Sequence, residues 1–269
     1  MIPRTIHYCW FGGNSLPEYA KKCIDSWKKY FPGYKIKEWN ESNYDISKIP
    51  YMLEAYNVKK YAFVSDYARF DMLHEFGGIY FDVDVEVIRP FGEILDDTGF
   101  MGTEVSGGIA AGLGVGCNAG LGVVRDILES YKGEHFLCED GITYNLKTIV
   151  QRVTRIFREH GFNERANQIQ RIADFTIYTP EYFAPLDSFT GRLNITRNSV
   201  SIHYYDGSWL KDGELEFKKK VHKLYKILGT NIISKILVSI IYFVKHIFED
   251  GFISTIKRYL KIIRGKRNV

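Results

Sequence analysis

The sequence predicts an α/β fold: a Rossmann-like sheet, mostly parallel, flanked by helices and followed by a basic helical extension. Three observations predict it. The first forty residues read strand, helix, strand with short connections, the order of a βαβ unit. A further strand-like run, Ile79-Tyr80-Phe81, leaves a helix over 59–76 through Gly77-Gly78. Beyond residue 214 the composition turns to lysine-rich helical patterns.

The elements follow in order. Arg4-Thr5-Ile6-His7-Tyr8-Cys9-Trp10 has strand character, and Phe11-Gly12-Gly13-Asn14 leaves it as a loop. Pro17 opens a helix whose periodic residues are Tyr19, Cys23, Trp27 and Tyr30, stopped by Pro32-Gly33. Lys35-Ile36-Lys37-Glu38-Trp39 alternates as a second strand. In the helix over 59–76, Tyr61, Val64, Ala68 and Met72 form the apolar stripe, with Asp66 and Arg69 one turn apart. Val85 to Pro90 continues extended; 102–122 reads as a glycine-rich, mobile loop. Helices are expected over 123–131 and 141–160, and late strands at 176–178 and 200–203. His203 ends the last strand, before Tyr204-Tyr205-Asp206-Gly207-Ser208-Trp209.

The chemistry centres on Asp82-Val83-Asp84. Two aspartates at i and i+2 on an extended chain aim one way, leaving Val83 to the core. Buried carboxylates need a partner, and few hard oxygen ligands suit Mg²⁺ or Mn²⁺ that keeps open positions for phosphate. A D-x-D alone is a weak motif, equally at home as a surface turn.

The 269 residues allow one large domain or a domain with an appendage, here 1–213 and 214–269. At 45% hydrophobic and 25% charged the chain is globular. Four cysteines without a C-x-x-C pair argue against a disulfide framework and for a reducing compartment. Neither a signal peptide nor a membrane-spanning run is expected. Residues 211–269 hold 14 Lys+Arg against 5 Asp+Glu, while the rest holds 22 against 27. Helices are expected over 218–228, 231–248 and 252–264, with the apolar run 236–244 bracketed by Lys235 and Lys245. Such helices read either as lying on an anionic membrane surface or as a cap on the main domain.

Four blocks in order, Ile2 to Gly13, Ser65-Asp66-Tyr67-Ala68-Arg69, Gly77 to Asp84, and Ile202-His203 through Ser208-Trp209, resemble glycosyltransferase family 32. That group includes bacterial capsular-polysaccharide transferases and is related to the catalytic domains of large clostridial glucosylating toxins. The resemblance covers about four-fifths of the chain and implies a GT-A-type fold with a mixed sheet, and a nucleotide-sugar donor. By it, Trp10 stacks on the base, and Asp66 and Arg69 contact ribose and donor sugar. Asp82 faces sugar and ribose, Asp84 holds the metal, and Asn118 contacts the donor sugar. His203, Ser208 and Trp209 close over diphosphate and metal; the toxins lack that histidine. Arg69, Asp82 and Asp84 are the catalytic candidates, Asp84 and His203 the metal ligands. Retention of anomeric configuration also follows from the resemblance.

The expected activity is therefore transfer of a hexose, from a UDP-sugar by preference, to a glycan or lipid-linked acceptor in capsule or O-antigen synthesis. The expected cofactor is Mn²⁺ or Mg²⁺ and the expected place the cytoplasmic face of the cell membrane. Nucleic-acid binding is not expected, since no recognition motif accompanies the basic tail. Two rivals remain. Asp82-Val83-Asp84-Val85 also fits the nucleophile motif of haloacid-dehalogenase-like phosphohydrolases. Alternatively, the chain is a non-catalytic, membrane-attached nucleotide-sugar-binding protein.

Overall fold

The computed structural model describes residues 1–206, 212–252 and 254–256. The chain divides into two compact units: Met1–Ser188 with Leu193–Trp209, and Phe189–Arg192 with Leu210–Val269.

The first unit is built on a mixed seven-stranded sheet in the order β2-β1-β3-β6-β5-β8-β7. Strand β1 is Thr5–Cys9, β2 Lys35–Trp39 and β3 Gly78–Tyr80. Both β2 and β3 pair parallel to β1, each reached through helical crossovers. The first crossover is α1 (Glu18–Tyr30); the second is α2 (Pro50–Asn57) followed by α3 (Tyr61–Phe76). Three pairings are antiparallel, β3 with β6 (Val115–Cys117), β6 with β5 (Gly99–Gly102), and β7 (Gln170–Ile172) with β8 (Phe175–Tyr178). With β5 parallel to β8, the sheet is mixed rather than mostly parallel.

Alternation along β3 divides the core. Tyr80 joins a cluster with Val64, Ala68, Met72 and Leu73 of α3, while Ile79 and Phe81 join one with Ile24 and Trp27 of α1. Helices α4 (Gly122–Glu129) and α5 (Ile149–Glu159) add to the α3 side. The helix expected from 141 begins at Ile149, because Thr148 caps it: its hydroxyl accepts the Gln151 amide N–H, and the Gln151 side chain answers the Thr148 amide.

A two-stranded antiparallel ribbon, β4 (Val85–Val87) with β9 (Ser201–His203), lies on the α1 side; between β8 and β9 runs the short helix α6 (Pro180–Phe183). The Trp27 indole N–H donates to the Val85 carbonyl at 2.7 Å, and Ser26 Oγ accepts the Val87 amide at 2.9 Å. Trp27 is fully buried, so α1 fixes the start of β4.

The glycine-rich stretch 102–122 is not a mobile surface loop. From Gly108 to Cys117 it is buried, holding a 3-10 turn at Ala111–Leu113 and β6. Its glycines make room for rings: a β-carbon on Gly116 would collide with Phe100, and one on Gly114 would stand 2.8 Å from Phe81.

In the second unit, α7 spans Asp212–Leu228 and α8 Ile232–Asp250. They pack through Val221, Tyr225 and Val238, with Phe217, Leu224 and Tyr242 around them. The Asn231 side chain caps α8 by accepting the Ser234 amide at 3.0 Å. Most of the helix expected over 252–264 lies outside the described residues.

Candidate active site

Gly77 and Gly78, at φ +61° and +102°, turn the chain from α3 into β3. A β-carbon on Gly78 would stand 2.6 Å from the Thr5 carbonyl oxygen, so glycine lets β3 lie close against β1. The chain then reaches Asp82 just beyond the carboxyl end of β3, where open α/β sheets gather ligands.

The aspartates do not continue an extended strand. Val83 and Asp84 form a turn closed by the Val85 amide donating to the Asp82 carbonyl at 3.0 Å. This turn, not strand alternation, converges the carboxylates; Val83 packs half-buried at the edge of the α1-side core.

Asp82 rests on a buried charged floor. Arg69 Nη2 lies 2.9 Å from Asp66 Oδ1 and 3.4 Å from Asp82 Oδ1, and Arg69 Nε donates to the Ser65 carbonyl at 3.1 Å. The Tyr80 hydroxyl donates to Asp82 Oδ1 at 2.9 Å, and the Arg69 guanidinium sits 4.8 Å from the Tyr80 ring centroid. Burial pushes the Asp66 carboxyl up to about 6, against the pull of Arg69. Burial also opposes charge on Arg69, but Asp82, Tyr80 and Asp66 more than offset it and hold the guanidinium firmly protonated. Asp66 and Arg69 are 8% and 3% exposed, so they brace Asp82 from beneath rather than offering a broad contact surface of their own.

Asp84 is held from the other side. His203 Nε2 lies 3.0 Å from Asp84 Oδ1, and the Asp206 amide donates to Asp84 Oδ2 at 2.9 Å. Burial opposes ionisation of both partners, yet their mutual attraction wins, lowering the Asp84 carboxyl and raising the His203 imidazole from their ordinary values. Tyr205, at φ +51°, adopts a left-handed conformation costly for a bulky residue; its ring packs against His203 with centroids 4.2 Å apart.

Ligand atoms of Asp82, Asp84 and His203 all lie within 4.8 Å of one another. His203 Nδ1 is buried without a hydrogen-bond partner in the protein. Carboxylate oxygens with an imidazole nitrogen are a donor set that fits a divalent cation.

The other expected residues divide. Trp10 follows β1 at the same end of the sheet, its indole N–H donating to the Asn14 carbonyl at 2.6 Å. Asn118 is misplaced by the sequence reading: it follows β6, whose Cys117 pairs with Gly78, and so lies at the opposite end of the sheet from Asp82. Antiparallel entry of β6 is the reason. Ser208 and Trp209 lie outside the described residues. Three contributors escaped sequence reasoning: Tyr80, the backbone amide of Asp206, and Gly112, where a β-carbon would collide with Asp82 Oδ2. Only Tyr80, inside the aspartate motif, carried a signal.

Residues 17–101 match the family model described as glycosyltransferase sugar-binding region containing DXD motif. An uncharacterized glycosyltransferase of Acanthamoeba polyphaga mimivirus is 32% identical over 105 residues, 35% of this chain and 40% of the relative. An inositol phosphoceramide mannosyltransferase of Schizosaccharomyces pombe is 27% identical over 111 residues, 37% of this chain and 33% of the relative. The chain thus spans less than half the length of either. Among solved structures, the PaToxG glycosyltransferase superposes at TM-score 0.43 with 17% identity, covering 59% of this chain and 68% of that one. A glycosyltransferase involved in glycosylation of the major capsid of PBCV-1 gives TM-score 0.37 at 13% identity, covering 80% and 98%.

Proposed function

We propose that this chain, which carries the glycosyltransferase sugar-binding region with its DXD motif at Asp82-Val83-Asp84, is a metal-dependent glycosyltransferase. In this reading it moves a hexose from a UDP-sugar to a growing glycan in capsule or O-antigen synthesis, with retention of configuration. The acceptor is lipid-linked and the reaction runs at the cytoplasmic face of the membrane. The observation that carries the proposal is the convergence of Asp82, Asp84 and His203 beyond the carboxyl end of β3.

Asp84 and His203 would hold Mn²⁺ or Mg²⁺, with Asp82 beside them. A divalent cation held there would supply positive charge to offset the negative charge developing on a departing nucleoside diphosphate. The chain's own residues supply the rest. Trp10 offers a ring for the base. Asp82 accepts hydrogen bonds from sugar or ribose hydroxyls, while Arg69 and Tyr80 fix its carboxylate. Asp66 in turn fixes Arg69. The Asp206 amide and His203 orient Asp84.

A calorimetric panel of UDP-, GDP- and CMP-sugars, with and without Mn²⁺, tests the reading. Binding of a UDP-sugar only with metal is the expected result. A flat response to every donor, with turnover of phosphate esters instead, would overturn it.

A further inference from the structure

The exposed side of α8 carries a chemistry that sugar transfer does not use. Ser234 and Val238 face inward, with Val238 in the contact with α7. On the outward side, Ile232, Ile233, Ile236, Ile240, Val244 and Phe248 are 43–85% exposed. At about 100° per residue these six fall within one sector of roughly 160°, so they form a continuous strip. A soluble surface seldom carries a contiguous apolar strip of this length without an occupant.

The charge of the second unit indicates which occupant. Lys235 and Ser239 edge it, forming a shallow groove with Ile236, Ile240 and Phe243. On α7, Lys219, Lys220, Lys223 and Lys226 are exposed. Over residues 211–269 the sequence holds 14 Lys+Arg against 5 Asp+Glu, whereas the remainder is acidic, with 22 against 27. A second copy of so basic a segment would be repelled. An anionic lipid surface answers both features: acyl chains accept the isoleucines and headgroups accept the lysines. Among the described residues no helix is long and apolar enough to cross a membrane, so the fitting geometry lies along the interface.

We propose that the outward face of α8 seats in the interface of an anionic bilayer, with Ile236 and Ile240 as its central apolar anchors. This does not rest on the donor or on the metal, and it names the face through which the second unit binds.

Flotation of the full chain with vesicles tests it, comparing phosphatidylcholine alone with phosphatidylcholine containing about 30% phosphatidylglycerol, an anionic surface. The expected result is binding to the anionic vesicles only, weakened at least tenfold by Ile236→Glu with Ile240→Glu and retained by Ile236→Leu with Ile240→Leu. Both pairs occupy exposed positions, and circular dichroism checks that the helices persist. Failure of the unaltered protein to float, or flotation of the glutamate pair at the unaltered level, overturns the proposal. So does light scattering that shows a dimer split by the glutamate pair with vesicle binding intact, which would assign the strip to self-association. Metal-dependent donor binding, measured in parallel without vesicles, is expected to be the same in all three proteins, so failure here is separable from failure of the transferase reading.

Discussion

The carbonyl of Gly112 accepts the amide of Asp82 at 3.2 Å, and the missing side chain of that glycine leaves the space that Asp82 Oδ2 occupies. A buried, adjacent backbone segment thus shapes the first aspartate of the motif. Gly112→Ala should push the carboxylate off its Tyr80 and Arg69 partners. A shift of about 1 Å in a reacting group costs on the order of a hundredfold in rate. Steady-state transfer kinetics should show that loss while the far-ultraviolet circular dichroism spectrum stays unchanged.

Asp84→Asn separates charge from shape. The amide oxygen still accepts from Asp206, so the turn persists, but the charge that faces His203 and a divalent cation is gone. Calorimetry should find Mn²⁺-dependent donor binding weakened at least tenfold, roughly 1.4 kcal/mol or more, while circular dichroism shows the fold intact. Affinity equal to the unaltered protein would remove Asp84 from the metal site.

Arg69 is the keystone of the charged floor. Arg69→Met leaves Asp66 buried beside an uncompensated Asp82, and breaking such a pair costs about 3–5 kcal/mol. Urea denaturation should report it. Adding Asp66→Asn should recover part of the loss, because the orphaned charge is then removed; additive losses would contradict the pairing.

His7 gives the stability a pH dependence. It is buried, accepts the Trp39 indole N–H at Nδ1 and donates from Nε2 to the Gly77 carbonyl, each at 3.0 Å. Burial lowers its pKa to about 4. The unfolded chain therefore binds the extra proton first, so the stability His7 supplies is complete above about pH 6.5 and is lost as pH falls toward 4, about 3 kcal/mol at the limit. Asp66 works in the opposite sense: its raised carboxyl, at about 6, takes up a proton in the folded state as pH falls and gains stability. Subtracting the His7→Gln profile from that of the unaltered protein isolates the histidine. The difference should decline between pH 6.5 and 4 and stay flat above.

Strands with alternating or β-branched residues, such as Lys35–Trp39 and Phe175–Tyr178, were legible in the sequence, as were the helix over 61–76 and its charged pair. Strands β5 and β6 were not. Gly99, Gly102 and Gly116 lie against the rings of Phe175, Phe183 and Phe100, and glycines chosen for ring packing read as loop. The same blindness misplaced Asn118, since a hidden antiparallel strand reverses which end of the sheet it meets. At the site, side chains with charge announced themselves, whereas Asp206 contributes through its amide and Gly112 through empty space, and neither leaves a mark in residue type.

The ribbon of β4 and β9 joins positions far apart in the chain: the bond from the Asp206 amide to Asp84 spans 122 residues. Contacts of such separation form late, after the entropy of closing the long loop has been met. The two aspartates follow β3 directly, but His203 and the Asp206 amide reach Asp84 only when the end of the first unit arrives. A growing chain therefore carries the motif long before it carries the pocket. Ligand binding becomes a reporter of completed folding, silent in every partly assembled form.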